Sequence, residues 1–578
     1  MLPRVAQCAG RVLLVASTSL VAAMSPRVSP GAAAQRPRSP AEREASDAQR
    51  GFEVYRRLRL PRIGLHGSGC DITIGRFCYW DDNSDEPFPA EQTSVTSARQ
   101  RLRVELDSLR ALEPASDYVL GQSVRYALDA GDARGAAELL SDCAATRWWC
   151  LALRGLAWHR AAEESLATAA FDSALAAMPV SVRCEWLDVS KWLPSDVDLP
   201  DDDGDHCAER ESTARRVFWL AAPLLTWRRE ATRNEFLARR TFLRIARGTA
   251  TPHSMGWGSD VDELALRFGW PDSWARGEAG TYTAATSDIR VVGHQPTPSF
   301  DFVPDRHAIE SPLAASPDDW HLTSGRKPKM RYAPGWLTTI DTLPVQIARF
   351  LRARGDSMVV VAAFDARAVF GDSALDPRAA GVLATPPEST LVAAAATSDG
   401  SGAAILVAGR RPVLAAVEVV DSARLHAARW RGSVQPPDGS SLVSDILVGR
   451  AAGGSPLPDL LESAVPRAIA PLVVSAGDTL ALFWETYAHP AREHPTRVRL
   501  RLVPLSSSFF GRVARTLGLK QEELPVSIAW DDPGTPDARA GRALRVAIPD
   551  VPDGSYRIEL TIQTDGREET SARTIVVR

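Results

Sequence analysis

The sequence predicts a multidomain α + β protein: an N-terminal all-α helical repeat array, a central α/β segment and a C-terminal antiparallel β-sandwich. Two observations predict the helical part. From Thr96 to about Gly248 apolar residues recur with a helical period and few prolines interrupt them. Within that block Cys150 and Cys184, and likewise Trp158 and Trp192, stand 34 residues apart, the period of a two-helix repeat. The third observation is a change of period beyond Pro334, where short apolar runs are broken by Gly, Pro, Asp and Ser in the manner of a sandwich.

The chain has 578 residues, of which 45% are apolar, 7% aromatic and 24% charged. At ~100–200 residues per domain this makes about three or four packed units, and the balance excludes wholesale disorder and a membrane-embedded bundle. Lys plus Arg number 67 against 71 Asp plus Glu, a net charge of −4, and only four of the cations are lysine. No basic stripe is available to neutralise a phosphate backbone, so nucleic acid is not an expected partner.

Residues 1–34 read as a secretory signal peptide. Arg4 and Arg11 precede an apolar run of 13 residues from Val12 to Met24, and small residues end in Ala32-Ala33-Ala34 before Gln35. The run is short of the ~20 residues that span a bilayer and no later stretch reaches that length, so no transmembrane span is expected after cleavage. The competing reading is an uncleaved anchor. Cys8 precedes the apolar run, so a lipid-modified N-terminus is not indicated. Loss of Arg4, Arg11 and Arg27 takes the net charge from −4 to −7, as expected of a mildly acidic, exported protein in a periplasm or outside the cell.

Cys70, Cys78, Cys143, Cys150, Cys184 and Cys207 then remain, an even number that reads as disulfides in an oxidising compartment. Proximity favours Cys70 with Cys78, Cys143 with Cys150, and Cys184 with Cys207. Metal binding is the rival, but no C-x-x-C pair occurs and only His206 lies beside a cysteine, so neither a metal nor another cofactor is expected. Residues 35–91 divide into a Pro- and Arg-rich tether to Ala41, a helical segment from Ala41 to Leu60, and a stapled loop holding Cys70 and Cys78.

Residues 92–237 form the repeats. Gly155, Trp158, Ala167, Phe171, Ala174 and Pro179 follow the order small, aromatic, small, aromatic, small, proline. Small residues let two antiparallel helices approach, large ones fill the gap, and proline stops the second helix. Leu151 to Pro179 therefore resembles the tetratricopeptide-repeat family, with Leu151 where that family has Trp and Arg154 where it has Leu. A preceding unit runs from Tyr118 to Leu128, turns at Gly131-Asp132 and continues through Ala136 and Leu140. A third follows Cys184, ahead of an acidic insertion from Asp196 to Asp205. Cys143 and Cys150 fall at the end of one helix and the start of the next, where a bond staples adjacent repeats. An irregular helical bundle is the competing reading.

Residues 238–332 carry Arg239-Arg240-Thr241-Phe242, then Gly256-Trp257-Gly258-Ser259-Asp260, then an apolar segment ending Gly269-Trp270-Pro271-Asp272. Across Ala238 to Asp305 this resembles the bacterial GWxTD domain family, with Ser259 in place of Thr, and the family brings no established reaction. Gly256 is expected to permit a tight turn, Trp257 to plug a pocket, and Ser259 or Asp260 to bond backbone N–H groups. Trp257, Asp260 and Asp272 together also suit a sugar or a cation, as an aromatic face beside carboxylates.

Residues 333–437 hold apolar runs at Met358 to Phe364, Thr390 to Ala396, Ala403 to Ala408 and Pro412 to Val420. Residues 438–578 hold a second set: Leu442 to Val448, Thr479 to Tyr487, Arg497 to Val503, Val526 to Trp530, Ala543 to Ile548, Tyr556 to Ile562 and Ser571 to Val577. In Thr479 to Tyr487, alternation puts Leu480, Leu482, Trp484 and Thr486 on one face and Ala481, Phe483, Glu485 and Tyr487 on the other. Pro549 to Tyr556 resembles the turn into a late strand of immunoglobulin-like domains, whose Tyr packs at the corner.

No enzyme signature emerges. H-E-x-x-H, G-x-S-x-G, a P-loop and a strand-borne G-x-G-x-x-G are absent from the sequence. Gly355-Asp356-Ser357 and Gly371-Asp372-Ser373 carry the Gly-Asp-Ser of one esterase class, but Ser357 precedes a strand instead of following one. His489 and His494 flank Pro490 in an expected hairpin loop. Asp201-Asp202-Asp203-Gly204-Asp205 lacks the alternating ligand order of a calcium loop. The catalytic residues are thus unknown. The expectation is an exported, non-enzymatic scaffold binding a protein or peptide in a helical-repeat groove; a glycan- or envelope-binding module is the alternative, and a hydrolase the third.

Overall fold

The computed structural model describes residues 37–63, 72–75, 77–79, 89–193, 206–253, 256–277, 291–294, 299–320, 322, 329–352, 356–371, 378–385, 389–396, 401–451, 454–487, 496–505, 526–532, 539–564 and 566–578. The signal-like segment, Cys70, Ser373, the acidic insertion and the loop with His489 and His494 lie outside them. Architecture is mixed α + β, with helices first and antiparallel-rich sheets after.

The N-terminal elements are α1 (Pro40–Arg57), β1 (Arg62–Ile63), β2 (Ile72–Ile74), β3 (Phe77–Tyr79), α2 (Thr93–Leu112), α3 (Asp117–Asp129), α4 (Ala133–Glu138), α5 (Arg147–Arg160), α6 (Glu164–Ala177) and α7 (Val180–Trp186). Ser39 opens α1 with a reciprocal capping box to Glu42, so the expected tether ends at a cap. A buried polar network then fastens α1 and α2 to α3. Arg56 and Arg99 both reach Asp129, and Glu53 accepts from Arg125 at 3.2 Å and Tyr126 at 2.7 Å.

The α5–α6 pair packs as the small-and-large order requires. Gly155 lies under the ring of fully buried Phe171, and a Cβ there would sit 2.6 Å from it. Ala167 and Ala174 are buried on the same face, Trp158 is half-buried, and Pro179 stands between α6 and α7. The disulfides Cys143–Cys150 and Cys184–Cys207 form as proximity favours, the first joining the α4–α5 connection to α5 and the second joining α7 to the start of the next helix.

The third hairpin departs from the expected period. α7 has seven residues, and Trp192 sits in a 3-10 turn (Ser190–Trp192) with its indole donating to the Leu266 carbonyl at 2.7 Å. Trp158 and Trp192 therefore share a spacing and one core but not an equivalent position in a helix.

Next come α8 (Cys207–Leu220), α9 (Ala231–Ala246), α10 (Ser259–Phe268), β4 (Ser273–Gly277), β5 (Val291–His294) and α11 (Arg306–Glu310). The boundary expected at residue 237 falls inside α9. This helix is buried on nearly every side and packs on α3, α5 and α6; Ile245, for example, lies 3.6 Å from the place of a Cβ on Gly121. The central α/β part is a three-stranded sheet in the order β1-β4-β5, so the N-terminal β1, parallel to β4, belongs to it.

The remaining elements are β6 (Thr339–Thr342), β7 (Val345–Arg352), β8 (Ser357–Asp365), α12 (Arg367–Phe370), β9 (Arg378–Thr385), β10 (Ser389–Ala396), β11 (Ser401–Gly409), β12 (Val413–Asp421) and β13 (His426–Val434), then β14 (Leu447–Arg450), α13 (Leu461–Ala464), β15 (Val473–Val474), β16 (Thr479–Tyr487), β17 (Thr496–Pro504), β18 (Val526–Asp532), β19 (Arg539–Ala547), β20 (Gly554–Thr564) and β21 (Arg567–Val577). Sheets β10-β9-β12-β13-β6 and β11-β8-β7 make one sandwich. Sheets β14-β16-β19 and β15-β21-β20-β17-β18 make the C-terminal one.

The four sheets stack in series with the helical part, and alternation along single strands decides which layer each side chain joins. On β12, Leu414 and Ala416 pack with Leu220, Leu225 and Trp320, while Val417 and Val419 face Ala362 and Phe364 of β8. On β8, Val359 and Val361 turn the other way and meet Phe483 of β16. On β16, Leu480, Leu482 and Trp484 then meet Val498, Leu560 and Ile575 of the last sheet, so the two faces read from the sequence are both buried, each in a different core. The expected strand Leu442 to Val448 forms a ladder only from Leu447.

Candidate functional site

The central motif converges on one aromatic cluster at the junction of α9, α10 and β4. Gly258 is the extended N-cap residue of α10, so Ser259 and Asp260 occupy its first turn, and Asp260 accepts the Val261 N–H at 3.0 Å. That matches the backbone-bonding role expected of Asp260. Gly256 differs from expectation: it is exposed, its φ lies outside the left-handed region, and a Cβ on it would meet nothing within 4 Å. The tight approach is made instead by Gly75 between β2 and β3, at φ +52°, where a Cβ would fall 2.5 Å from Asp260 Cβ.

Trp257 is half-buried, donates its indole N–H to Asp262 at 2.8 Å, and stacks on half-buried Trp270 with centroids 6.1 Å apart and planes at 22°. Trp270 also meets Phe242 of α9 at 5.0 Å and Trp274 of β4 at 5.3 Å, and His253 stands 4.6 Å from Trp274. The Trp274 indole N–H is buried with no hydrogen-bond partner. Charged groups ring the cluster. Asp262 pairs with Arg247 at 3.1 Å, Arg247 reaches Glu185 at 3.0 Å, and exposed Asp272, following half-buried Pro271, pairs with Arg160.

Beneath it lies a buried network that the sequence reading missed. His159, at the end of α5, has Nε2 2.7 Å from Glu235 Oε2 and Nδ1 3.2 Å from Glu164 Oε1. Burial alone would lower the imidazole pKa, but the two carboxylates beside it, Glu235 in a hydrogen bond and Glu164 as a close charge, outweigh it and raise it to about 9. Burial likewise would raise Glu235, and Arg239 with His159 holds it well below the usual carboxylate range. Asn234 donates to Glu164 at 2.9 Å. Arg239 also donates to the carbonyls of Leu266 and Arg267 at the C-terminal end of α10, where a cation suits the helix dipole. The Glu235–Arg239 spacing of four on one helix was the available signal.

Chemically, the buried imidazole is a fixed cation at neutral pH and serves as a fastener. The surface offers flat indoles, carboxylates and guanidiniums, which are binding groups. Among the described residues no group of three or more His, Cys, Asp or Glu is placed to hold a metal ion, and no helix is long and apolar enough to cross a membrane. Ser357 opens β8 opposite Gly409 of β11.

No family model and no curated protein matches the chain. Among solved structures it is similar to the crystal structure of the FN1–FN3 domains of chicken CNTN1, at 8% identity over 44% of this chain and 72% of that chain, with a TM-score of 0.15, a likeness too distant to bear on fold or function.

Proposed function

We propose that the protein is an exported, non-enzymatic scaffold that binds a protein or peptide, and that it does so on the face of the central motif. The carrying observation is the stacked, half-buried pair Trp257 and Trp270, set among Arg160, Arg247, Asp262 and Asp272. Tryptophan and arginine inside a polar rim are the composition of interface hot spots. A peptide in the helical-repeat groove is the other form of this reading, and α9, which packs on α3, α5 and α6, then forms part of that helical surface.

The assignment of α5–α6 to the tetratricopeptide type is supported by the Gly155–Phe171 contact, and that of residues 238–305 to the GWxTD type by the convergence of its Trp and Asp residues. An immunoglobulin type for the last sandwich is supported by Tyr556, whose hydroxyl donates to the Pro552 carbonyl four residues upstream at 2.8 Å. Two disulfides support export.

The test is capture by the full chain from a pool of purified envelope proteins, compared with Trp257→Ala and Trp270→Ala. A discrete partner retained by the native chain and lost with both variants, at unchanged melting temperature, is the expected result; equal capture by all three sinks the reading. The near-parallel indoles beside carboxylates also favour a second reading, a glycan surface. Selective retention on a glycan array that Trp257→Ala abolishes, with no protein captured, transfers the assignment to it.

A further inference from the structure

The last sandwich ends in a strand whose two sides offer different chemistry, and that strand shares no residue with the tryptophan face. β18 closes the sheet β15-β21-β20-β17-β18 and, among the described residues, forms a ladder with β17 alone, so alternate N–H and C=O groups along its outer edge stand ready for another strand. Natural edges are commonly blunted by proline, by lysine or by being very short. β18 has seven residues, contains neither proline nor lysine, and carries no charge from Val526 to Trp530.

Register fixes what each side shows. Val526 stands opposite Leu502 and Ile528 opposite buried Leu500, on the side that faces the core. Val526 and Ile528 nevertheless remain 50% and 49% exposed, whereas Trp530, further along, is half-buried against Trp484. On the outer side Ser527 stands opposite Arg501, Ala529 opposite Arg499 and Asp531 opposite Arg497. Asp531 is placed to offset Arg497, and Arg501 shares Glu559, at 3.7 Å, with Arg557, at 3.9 Å. Arg499 is exposed and forms no ion pair among the described residues, and the residue between it and the open edge is an alanine. A strand added beside β18 would lie two strand spacings, about 9.6 Å, from β17. Over Ser527 and Ala529 no side chain of β18 is long enough to stop an arginine from reaching across to it.

We propose that β18 takes an extended acidic peptide as a further strand of this sheet. Alternate residues of the peptide are apolar and rest beside Val526 and Ile528, while the intervening carboxylates meet Arg499 and Arg501 across Ala529 and Ser527. The period of two that sends side chains to opposite sides of a strand turns the two demands into one sequence pattern, acidic alternating with apolar. Main-chain hydrogen bonds give the affinity and the side chains the selection. A second copy of the chain is the rival occupant. Pairing β18 with its own copy would turn two arginine columns toward each other, with only Asp531 from each copy to offset them and that residue already opposite Arg497, so charge favours the acidic peptide.

Fluorescence anisotropy on the full chain decides it, with a labelled, terminally blocked Val-Glu-Val-Glu-Val-Glu-Val peptide as the probe. Saturable binding is expected. Arg499→Glu, which puts a repulsion where there was an attraction at an exposed position, should weaken it roughly five- to tenfold, and Arg499→Lys, which keeps the charge, should retain most of it. Binding should be lost when lysine replaces every glutamate of the probe, and lost again when the backbone N–H groups of the probe are methylated, since the ladder then has no donors from the added strand. Absence of saturable binding by the glutamate probe overturns the proposal, as does equal binding of the lysine probe or of the methylated one. So does indifference to Arg499→Glu. Sedimentation of the native chain alone should show no association through this edge; a dimer that Ile528→Lys dissolves would give β18 to a second copy and overturn the proposal as well.

Discussion

His159 Nε2 lies 2.7 Å from Glu235 Oε2, so the C-terminal end of α5 is tied to the second turn of α9. Glu164, in the first turn of α6, holds the other ring nitrogen at 3.2 Å. One imidazolium shared by two carboxylates thus locks three helices together, and Arg239 extends the lock from Glu235 to the end of α10. α9 is held against α5 and α6 by charge as well as by packing.

This lock makes stability depend on alkaline pH. The His159 pKa is raised from 6.5 to about 9 by its carboxylates. A group whose pKa is higher in the folded state contributes fully below its unfolded value, and the contribution disappears as pH rises through the folded one. Stability should therefore be flat up to about pH 6.5 and fall toward pH 9, by roughly 2–3 kcal/mol for a shift of this size. Thermal melts of the native chain from pH 6 to 9.5 should show the fall, and His159→Gln should melt lower but without that slope. A native melting temperature that is constant across the window would refute the assignment of charge to His159.

At Gly155 two effects compete. Alanine is favoured over glycine in a helix interior by about 1 kcal/mol, which predicts stabilisation by Gly155→Ala. Its Cβ would stand 2.6 Å from the ring of fully buried Phe171, and overpacking of a tight core costs about 1–3 kcal/mol. The clash should win: Gly155→Ala is expected to lower the melting temperature, and Phe171→Leu in that background to restore part of the loss. Raised stability in Gly155→Ala would mean that α5 and α6 are less closely packed than described.

Sequence pattern and structure agree where burial follows a period. β8, β12 and β16 read as apolar runs because both faces of each are buried, and Gly155 with Phe171 is a contact that spacing alone can nominate. Agreement fails where buried positions are polar and their partners lie far along the chain. β13 escapes an apolar search because Arg429 and Arg431 occupy its buried face, satisfied by carbonyls about 200 residues upstream. β7 escapes it as well, since Gln346 bonds both the N–H and the carbonyl of Val448. The same reason hides the place of α9: Asn234, Arg239 and Arg240 look like a solvated face, and only the folded chain brings Glu164, Leu266 and Asp188 to them. Of the aromatic site, the Gly-Trp and Trp-Pro-Asp segments were readable, but Phe242, His253 and Trp274 join them through tertiary packing alone.

Both described disulfides should survive non-reducing peptide mapping as Cys143–Cys150 and Cys184–Cys207. Their sequence separations are 7 and 23, and closing the longer loop removes more unfolded-state freedom, about 3.4 kcal/mol against about 2.4 kcal/mol on the chain-entropy account. Replacing Cys184 and Cys207 by Ser should therefore lower the melting temperature more than replacing Cys143 and Cys150. The reverse order would show that the staple between helix pairs acts on the native state as well as on the unfolded chain.

Glu418 is where the sandwich receives the helical part, and its removal should be the most damaging single substitution at that junction. Its carboxylate is 1% exposed, sits beside Arg431 and takes three hydrogen bonds from Leu225 and Thr226. Glu418→Ala deletes the acceptor for two backbone N–H groups and leaves Arg429 and Arg431 buried with no carboxylate between them, a defect worth about 3–5 kcal/mol. Glu418→Gln keeps an acceptor and the shape but loses the charge, so it should fall between Ala and the native residue. Because the chain has several packed units, the loss need not appear as one shifted transition: protease should first cut the 220–226 segment in Glu418→Ala, while the last sandwich, whose core is built from β16, β17, β20 and β21, keeps its own melting transition. Resistance of the 220–226 segment equal to that of the native chain would show that the apolar contacts of Leu220 and Leu225 with Leu414 and Ala416 hold the junction without the charges.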